Sequence, residues 1–294
     1  MWPLELAGLT RLMARTRGRP EVKIGLIDGP VMTTHPELSG PNLREVRGHG
    51  TAACTISSSA ACGHGTMVAG VLHAKRGGQA PAICPDCTLL VRPIFPETTA
   101  SHQIMPSATP EALANAIVET IDAGARVLNL SAALTPVTAH GERMLTEALN
   151  YAAHHGVLVV AAAGNQSTVG STAITRHPWV IPVVACDSQG RPTPESNLGN
   201  SIGRRGLMAP GENIPSLGTD GSYRSFGGTS AAAPFVTGAM ALLWSEFPQA
   251  RAADIQQALT QGRSGRRTSV LPPRLNAERS YQFLRVMTGE RRAF

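Results

Sequence analysis

The sequence predicts an α/β fold with three layers, in which a mostly parallel β-sheet carries helices on both faces. Five short, continuously apolar runs indicate buried strands, because a strand covered on both faces shows no polar alternation. These runs alternate with segments that carry helix start and stop signals, which is the order expected of right-handed crossovers in a parallel sheet. The predicted strands are 22–28, 88–94, 126–131, 157–163 and 180–185.

Four helices are predicted between and after these strands. The clearest has Thr109 as N-cap, Pro110 at the first helical position and Glu111 in the first turn, and Gly124 closes it. The others are predicted at 141–155, from Ser230 to about residue 244, and at 252–262. Segments 97–109, 164–178 and 187–206 are rich in Pro, Ser, Thr, Asn and Gly, and we expect long surface loops there that border an active site.

Composition and charge exclude several classes of protein. The 294-residue chain has 42% hydrophobic and 16% charged residues, as in an ordinary globular enzyme. Its net charge of +6 lies in residues 262–294, so the rest of the chain is neutral and a nucleic-acid partner is not expected. The chain has no apolar run long enough to span a membrane and no secretory signal, so a cytoplasmic location is expected.

The five cysteines do not suggest a secreted disulfide framework, because their number is odd and their spacing uneven. Cys84 and Cys87 form one CxxC, without a second CxxC at zinc-ribbon spacing. A plain turn or a local crosslink is favoured there over metal binding or a redox role. We expect no metal and no cofactor.

Three residues with hydrolytic chemistry stand in a suggestive order. Asp28 ends an apolar strand, His64 begins a helix of small residues, and Ser230 opens another such helix after two glycines. Each also has a purely structural interpretation: a turn aspartate, a polar helix end and an N-cap serine, respectively. A second Gly-His-Gly-Thr string surrounds His49, but the residues after it are loop-like, whereas a helix follows His64. Asn165 follows the apolar run 157–163 and could donate through its amide.

These segments resemble the subtilisin-like serine proteases (subtilases), in which the hydrolytic residues occur in the order Asp, His, Ser. The subtilase histidine motif HGTxVAG is matched in full at His64. The resemblance implies that Ser230 is the nucleophile, His64 the general base, Asp28 the carboxylate that orients His64, and Asn165 the oxyanion donor.

The same resemblance implies that Ser131, Ala132, Ala133 and Gly164 bind substrate, with the two alanines in the wall of the pocket. Two alanines replace the usual glycine pair here, and their Cβ atoms would narrow the pocket for the residue before the scissile bond. Segment 77–81 has no acidic ligands for calcium.

Scattered strings, including Gly29-Pro30 after the aspartate and 93–95, resemble the cyanobactin-type maturation proteases. The subtilase resemblance runs from about residue 22 to residue 287, which predicts an N-terminal extension (1–21), a peptidase domain (22–287) and a basic tail (288–294). The expected function is cleavage of a ribosomal precursor peptide rather than ring closure, since the large insertion of ring-forming members is not apparent. The alternative is a catalytically silent, subtilase-like subunit that binds peptides.

Overall fold

Within the described part of the chain, the main sheet has seven parallel strands. The computed structural model describes residues 3–48, 51–99, 107–131, 138–260 and 269–289. The strands are β1 (Lys23–Asp28), β2 (Leu43–Glu45), β3 (Thr88–Pro93), β4 (Val127–Leu130), β5 (Leu158–Ala162), β6 (Val180–Cys186) and β7 (Leu207–Pro210). Their order across the sheet is β2-β3-β1-β4-β5-β6-β7. A separate antiparallel pair consists of β8 (Ile214–Leu217) and β9 (Tyr223–Phe226).

Helices precede, connect and follow these strands. Before β1 lie α1 (Pro3–Leu6) and α2 (Thr10–Arg15), and the crossover helices are α3 (Ala60–His73), α4 (Pro110–Asp122), α5 (Ala139–His154), α6 (Ala173–Arg176) and α7 (Asn200–Arg205). After β9 come α8 (Thr229–Glu246), α9 (Ala252–Thr260) and α10 (Ala277–Met287). None of the helices in the described ranges is long and apolar enough to cross a membrane.

The sheet separates two hydrophobic cores, which confirms the predicted three-layer architecture. Consecutive residues of β1 point to opposite faces: Leu26 belongs to the core under α3 and α8, whereas Ile27 belongs to the core under α4 and α5. Both side chains are fully buried, which explains why the strand shows no polar alternation. Burial of each such side chain contributes roughly 1.5–3 kcal/mol. Helix α8 is buried along almost its whole length and packs across β4 to β7, so it is the central helix of its layer.

The predicted helices α4 and α5 are confirmed, with small changes in where they begin and end. Thr109 caps α4 through its side chain, which accepts from the N–H of Ala112 at 3.1 Å. Helix α5 begins two residues before the predicted start, because Thr138 caps it and accepts from the N–H of Gly141 at 3.1 Å. The prediction of continuous loops at 164–178 and 187–206 is wrong where α6 and α7 lie. Helix α6 is only one turn long and is held by a capping box between Thr172 and Thr175, a signal too short to show periodicity.

The predicted N-terminal extension packs on the body of the protein. Leu9 and Leu12 are fully buried in the same core as α8, and α2 contacts α8 and α10. Residues 290–294 of the predicted basic tail lie outside the described residues. The division of the chain at residues 21 and 287 therefore stays a prediction.

One disulfide was not anticipated by the sequence. Cys54 and Cys62 are bonded and join the segment before α3 to its first turn, two residues before His64. Cys84 and Cys87 are buried, unbonded thiols. The N–H of Cys87 donates to the carbonyl of Cys84 at 3.1 Å, so the CxxC forms a turn, as favoured above.

Candidate active site

The predicted site residues gather at the carboxyl edge of three neighbouring strands. Asp28 is the last residue of β1, Ser131 follows β4 directly, and Gly164 and Asn165 follow β5. Strands β1, β4 and β5 are adjacent in the sheet, so their carboxyl ends open onto one region. This is where open parallel α/β sheets place functional groups.

Asp28 and His64 form a direct hydrogen bond. Nδ1 of His64 lies 2.7 Å from Oδ1 of Asp28, and the N–H of Gly29 donates to the same oxygen at 2.6 Å. The Asp28 side chain is fully buried, and the His64 side chain keeps 13% exposure. Burial alone would lower the pKa of His64, but the charge of Asp28 and the hydrogen bond to it outweigh burial and raise that pKa above 6.5. The pair is therefore arranged to stabilise a protonated imidazole.

Two glycines allow α3 to approach the end of β1 this closely. A Cβ on Gly29 would lie 2.0 Å from the carbonyl oxygen of Ala61, and a Cβ on Gly65 would lie 2.5 Å from the carbonyl oxygens of Gly29 and Pro30. No side chain fits at either contact. The glycine after His64 in the motif is thus a packing requirement that brings the histidine to Asp28.

Ser230 is the second residue of α8 and does not cap it. The N-cap is Gly228, whose φ of 85° favours glycine, so the N-cap interpretation of Ser230 is wrong. The side chain is half-buried, and its backbone N–H lies in the first helical turn, where N–H groups have no partner inside the helix. The positive end of the helix dipole therefore faces any anion formed at Ser230.

Ser230 and His64 lie on helices that pack against each other, α8 and α3. The ring of Phe226, four residues before Ser230, stands edge-on to the His64 imidazole at a centroid distance of 6.4 Å. Among the described residues, Ser230 and His64 do not form a hydrogen bond with each other. Such bonds are often long in enzymes without substrate and tighten in the substrate complex.

The side chain of Asn165 is oriented by Thr229, the residue before Ser230. Its Oδ1 accepts from the N–H of Thr229 at 2.9 Å and from the Thr229 hydroxyl at 3.0 Å, while the N–H of Gly164 donates to Oγ1 of Thr229 at 3.1 Å. A backbone N–H can only donate, so the oxygen of the amide must face Thr229. The Nδ2 group is left to donate elsewhere beside Ser230.

Of the predicted substrate-binding segment 131–133, the structure describes only Ser131. Ser131 is buried, and its Oγ accepts from Nδ2 of Asn129 at 3.1 Å; Asn129 in turn accepts from Thr237 of α8 at 2.8 Å. Ala132, Ala133 and the competing His49 lie outside the described residues. The narrowed pocket wall therefore stays a prediction.

A cavity of about 290 Å³ is lined by Pro30 and Pro93, close to the ends of β1 and β3. The N–H of Ile94 donates to the Asp28 carbonyl at 2.8 Å, which places this cavity at the carboxyl ends of β1 and β3. Most of its lining is apolar, with Glu97 as its charged residue; the lining residues are Pro30, Thr51, Pro93, Ile94, Phe95, Pro96 and Glu97.

Several supporting residues escaped sequence reasoning. Thr229 adjoins Ser230 in the chain, and this adjacency is the signal that could have identified Thr229.

Cys54, Cys62 and Glu97 form the one group with metal-ligand spacing in the described ranges. Both cysteine sulfurs are consumed by the disulfide, so they are not thiolate ligands here.

The fold is that of the subtilisin-like serine proteases. A family model described as the subtilase family, Peptidase S8, matches residues 19–274, and the chain belongs to that family. Fervidolysin from Fervidobacterium pennivorans is 28% identical over 284 residues, a match that covers 88% of this chain but 40% of fervidolysin.

Two solved structures of related proteases are also similar. The prenylagaramide maturation protease PagA superposes with a TM-score of 0.81 at 27% identity, covering 94% of this chain and 98% of that one. A serine-to-alanine mutant of the protease domain of PatA gives a TM-score of 0.80 at 28% identity, covering 92% and 97%. The predicted resemblance to the cyanobactin-type proteases is thereby confirmed.

Proposed function

We propose that this protein hydrolyses a peptide bond in a ribosomal precursor peptide through an acyl-enzyme. The observation that carries the proposal is the Asp28–His64 hydrogen bond of 2.7 Å at the edge of the sheet where Asn165 is fixed beside Ser230. The peptide substrate is supported by the likeness to PagA and PatA, both of which are named as maturation proteases.

In the first half of the reaction, Oγ of Ser230 attacks the scissile carbonyl carbon and Nε2 of His64 accepts the hydroxyl proton. Asp28 stabilises the imidazolium that forms. Nδ2 of Asn165 and the N–H of Ser230 donate to the oxyanion. As the tetrahedral intermediate collapses, His64 gives its proton to the leaving amine, and Ser230 is left as an ester.

In the second half, water attacks that ester and His64 takes a proton from the water. Collapse of the second intermediate releases the carboxylic acid product and returns the proton to Oγ of Ser230. We assign the backbone next to Ser131 and Gly164 to peptide binding, because these residues follow β4 and β5, the neighbouring strands whose carboxyl ends border the candidate site. No metal and no cofactor takes part in this scheme.

The proposal is tested with a fluorophosphonate probe, which reacts with activated serines. We expect the protein to be labelled and Ser230→Ala to abolish labelling. Ser245→Ala is the matched control, since Ser245 lies near the other end of α8 and donates to the Ala241 carbonyl. Labelling that persists in Ser230→Ala would overturn the assignment.

The missing Ser230–His64 hydrogen bond is the observation that favours the alternative, a silent peptide-binding subunit. To distinguish the two functions, the protein is incubated with candidate precursor peptides and the masses of the products are measured by mass spectrometry. Binding without a cleaved product would favour the silent subunit, whereas a mapped cut that disappears in Ser230→Ala supports the protease.

The cellular location enters the proposal through the cysteines. We propose action inside the cell, as the sequence predicts, but the Cys54–Cys62 disulfide weighs against it, because disulfides persist mainly in oxidising compartments. Alkylation of protein captured directly from lysed cells shows whether these two cysteines are free thiols or a disulfide inside the cell, because only free thiols react.

A further inference from the structure

Asn197 is a buried asparagine in the segment that leads into α7, and the reaction scheme gives it no role. Its side chain bonds to the turn that carries Asn165 at four points. Nδ2 donates to the Ala163 carbonyl at 3.2 Å and to Oε1 of Gln166 at 2.6 Å. Oδ1 accepts from the N–H of Gln166 at 3.0 Å and of Thr168 at 3.1 Å. The amide of Asn197 thus spans the turn on both sides of Asn165.

The turn needs such support because its backbone is strained. Gly164 has a φ of 101° and Ser167 a φ of 53°, and a left-handed conformation is costly for a serine. Strained residues persist only where surrounding contacts over-determine them. The Asn197 segment supplies those contacts through its backbone as well: the N–H of Asn197 donates to the Gly164 carbonyl at 2.9 Å, and the Glu195 carbonyl accepts from Ser167 at 2.9 Å.

The fit between Asn197 and the turn leaves no space for another arrangement. A Cβ on Gly164 would lie 2.3 Å from Nδ2 of Asn197, so the turn and the amide are in direct contact. Asn165 is exposed and is otherwise held through Oδ1 alone, by Thr229. Its backbone is therefore fixed by Asn197 and its side chain by Thr229.

We infer that Asn197 is a positioning residue for the oxyanion donor. It holds the backbone of the 164–168 turn so that Nδ2 of Asn165 points to the site where negative charge develops at Ser230. The inference rests on the proposed function, since it assigns Asn197 a role in that reaction. A donor acts in proportion to its preorganisation, and loss of one oxyanion donor costs about 10²–10³ in kcat.

The test is Asn197→Asp, which keeps the size and the two accepting interactions but replaces the donating Nδ2 with an oxygen. That oxygen would face the Ala163 carbonyl, and this contact becomes repulsive, whereas the exposed Gln166 amide can rotate to donate to it. We expect kcat to fall about 10- to 100-fold with little change in KM, because the donor acts on the transition state. Affinity for a peptide boronate, which forms a tetrahedral anion at the serine, is expected to fall in parallel.

A double-mutant cycle separates positioning from general damage. In an Asn165→Ala background the donor is already gone, so Asn197→Asp is expected to have almost no further effect on kcat. Asn276→Ala is the control. It removes the N-cap of α10, whose side chain accepts from the N–H of Arg279 at 3.0 Å, and it should lower stability without lowering kcat.

The outcomes are distinct. Unchanged kcat in Asn197→Asp, or an equal loss in the presence and absence of Asn165, would overturn the inference while leaving the proposed function intact. A wild-type protein that does not cleave peptides and is not labelled by the probe would instead overturn the proposed function.

Discussion

Replacing Asp28 with asparagine tests how the carboxylate acts on His64. In the wild-type protein the pKa of His64 is raised, so the neutral base forms only as the pH rises through a value above 6.5. The acid limb of kcat/KM is therefore expected above pH 6.5. Asp28→Asn removes the charge that raises this pKa but leaves the burial that lowers it. We expect the acid limb of the variant below pH 6.5.

The size of the change follows from the geometry. Two unit charges about 4 Å apart attract each other by about 4 kcal/mol at an effective dielectric constant of about 20. This attraction opposes the burial of the imidazole and favours its protonated form. His64 retains 13% exposure, so water screens part of this attraction, and its loss in Asp28→Asn is expected to move the acid limb to lower pH.

The same geometry limits the loss of kcat. The N–H of Gly29 donates to Oδ1, the oxygen that also bonds to His64, so the amide oxygen of the variant should occupy that position. The histidine then keeps its tautomer, and the loss comes from the missing charge. We expect kcat to fall by up to about 10³-fold, the rate equivalent of about 4 kcal/mol.

The assay is the pH profile of kcat/KM on a cleaved peptide, together with NMR titration of the His64 ring. Asp254→Asn is the control, because Asp254 pairs with Arg251 near the start of α9. An acid limb that stays in place or moves to higher pH in Asp28→Asn would refute the reasoning.

Three further predictions concern supporting residues. Replacing Cys54 and Cys62 with serine should lower the free energy of unfolding by about 2–3 kcal/mol, measured in urea, because the disulfide closes a short loop; an unchanged midpoint would contradict this. His73 is buried, and burial lowers its pKa to about 4 although Asp86 opposes the shift. Only the unfolded chain takes up this proton between about pH 6.5 and 4, so stability should decline by about 3 kcal/mol as the pH falls through that window, and His73→Leu should remove the slope. Thr229→Val removes one of the two hydrogen bonds to the side-chain oxygen that it orients, and kcat should fall about fivefold with KM unchanged; a selective rise in KM would argue against an orienting role.

Much of the fold could be predicted from short-range patterns in the sequence. The apolar runs predicted five of the seven strands of the main sheet, because burial on both faces leaves a local signature. Strand β2 was missed because it has only three residues and its Arg44 and Glu45 are exposed at the sheet edge. Strand β7 was also missed, because a strand of only four residues gives too short an apolar run to stand out in the sequence.

The sequence by itself determined the fold class, the family and the order Asp28, His64, Ser230, since each depends on neighbouring residues in the chain. Tertiary structure decided how the site is held together. Thr229 meets Asn165 across 64 residues and Asn197 meets Gln166 across 31, and no periodicity or cap signal records such pairs. These contacts arise only when crossovers bring the ends of distant strands to one edge of the sheet. Local motifs in the sequence thus identify the residues of the candidate site, whereas long-range packing determines how these residues are oriented.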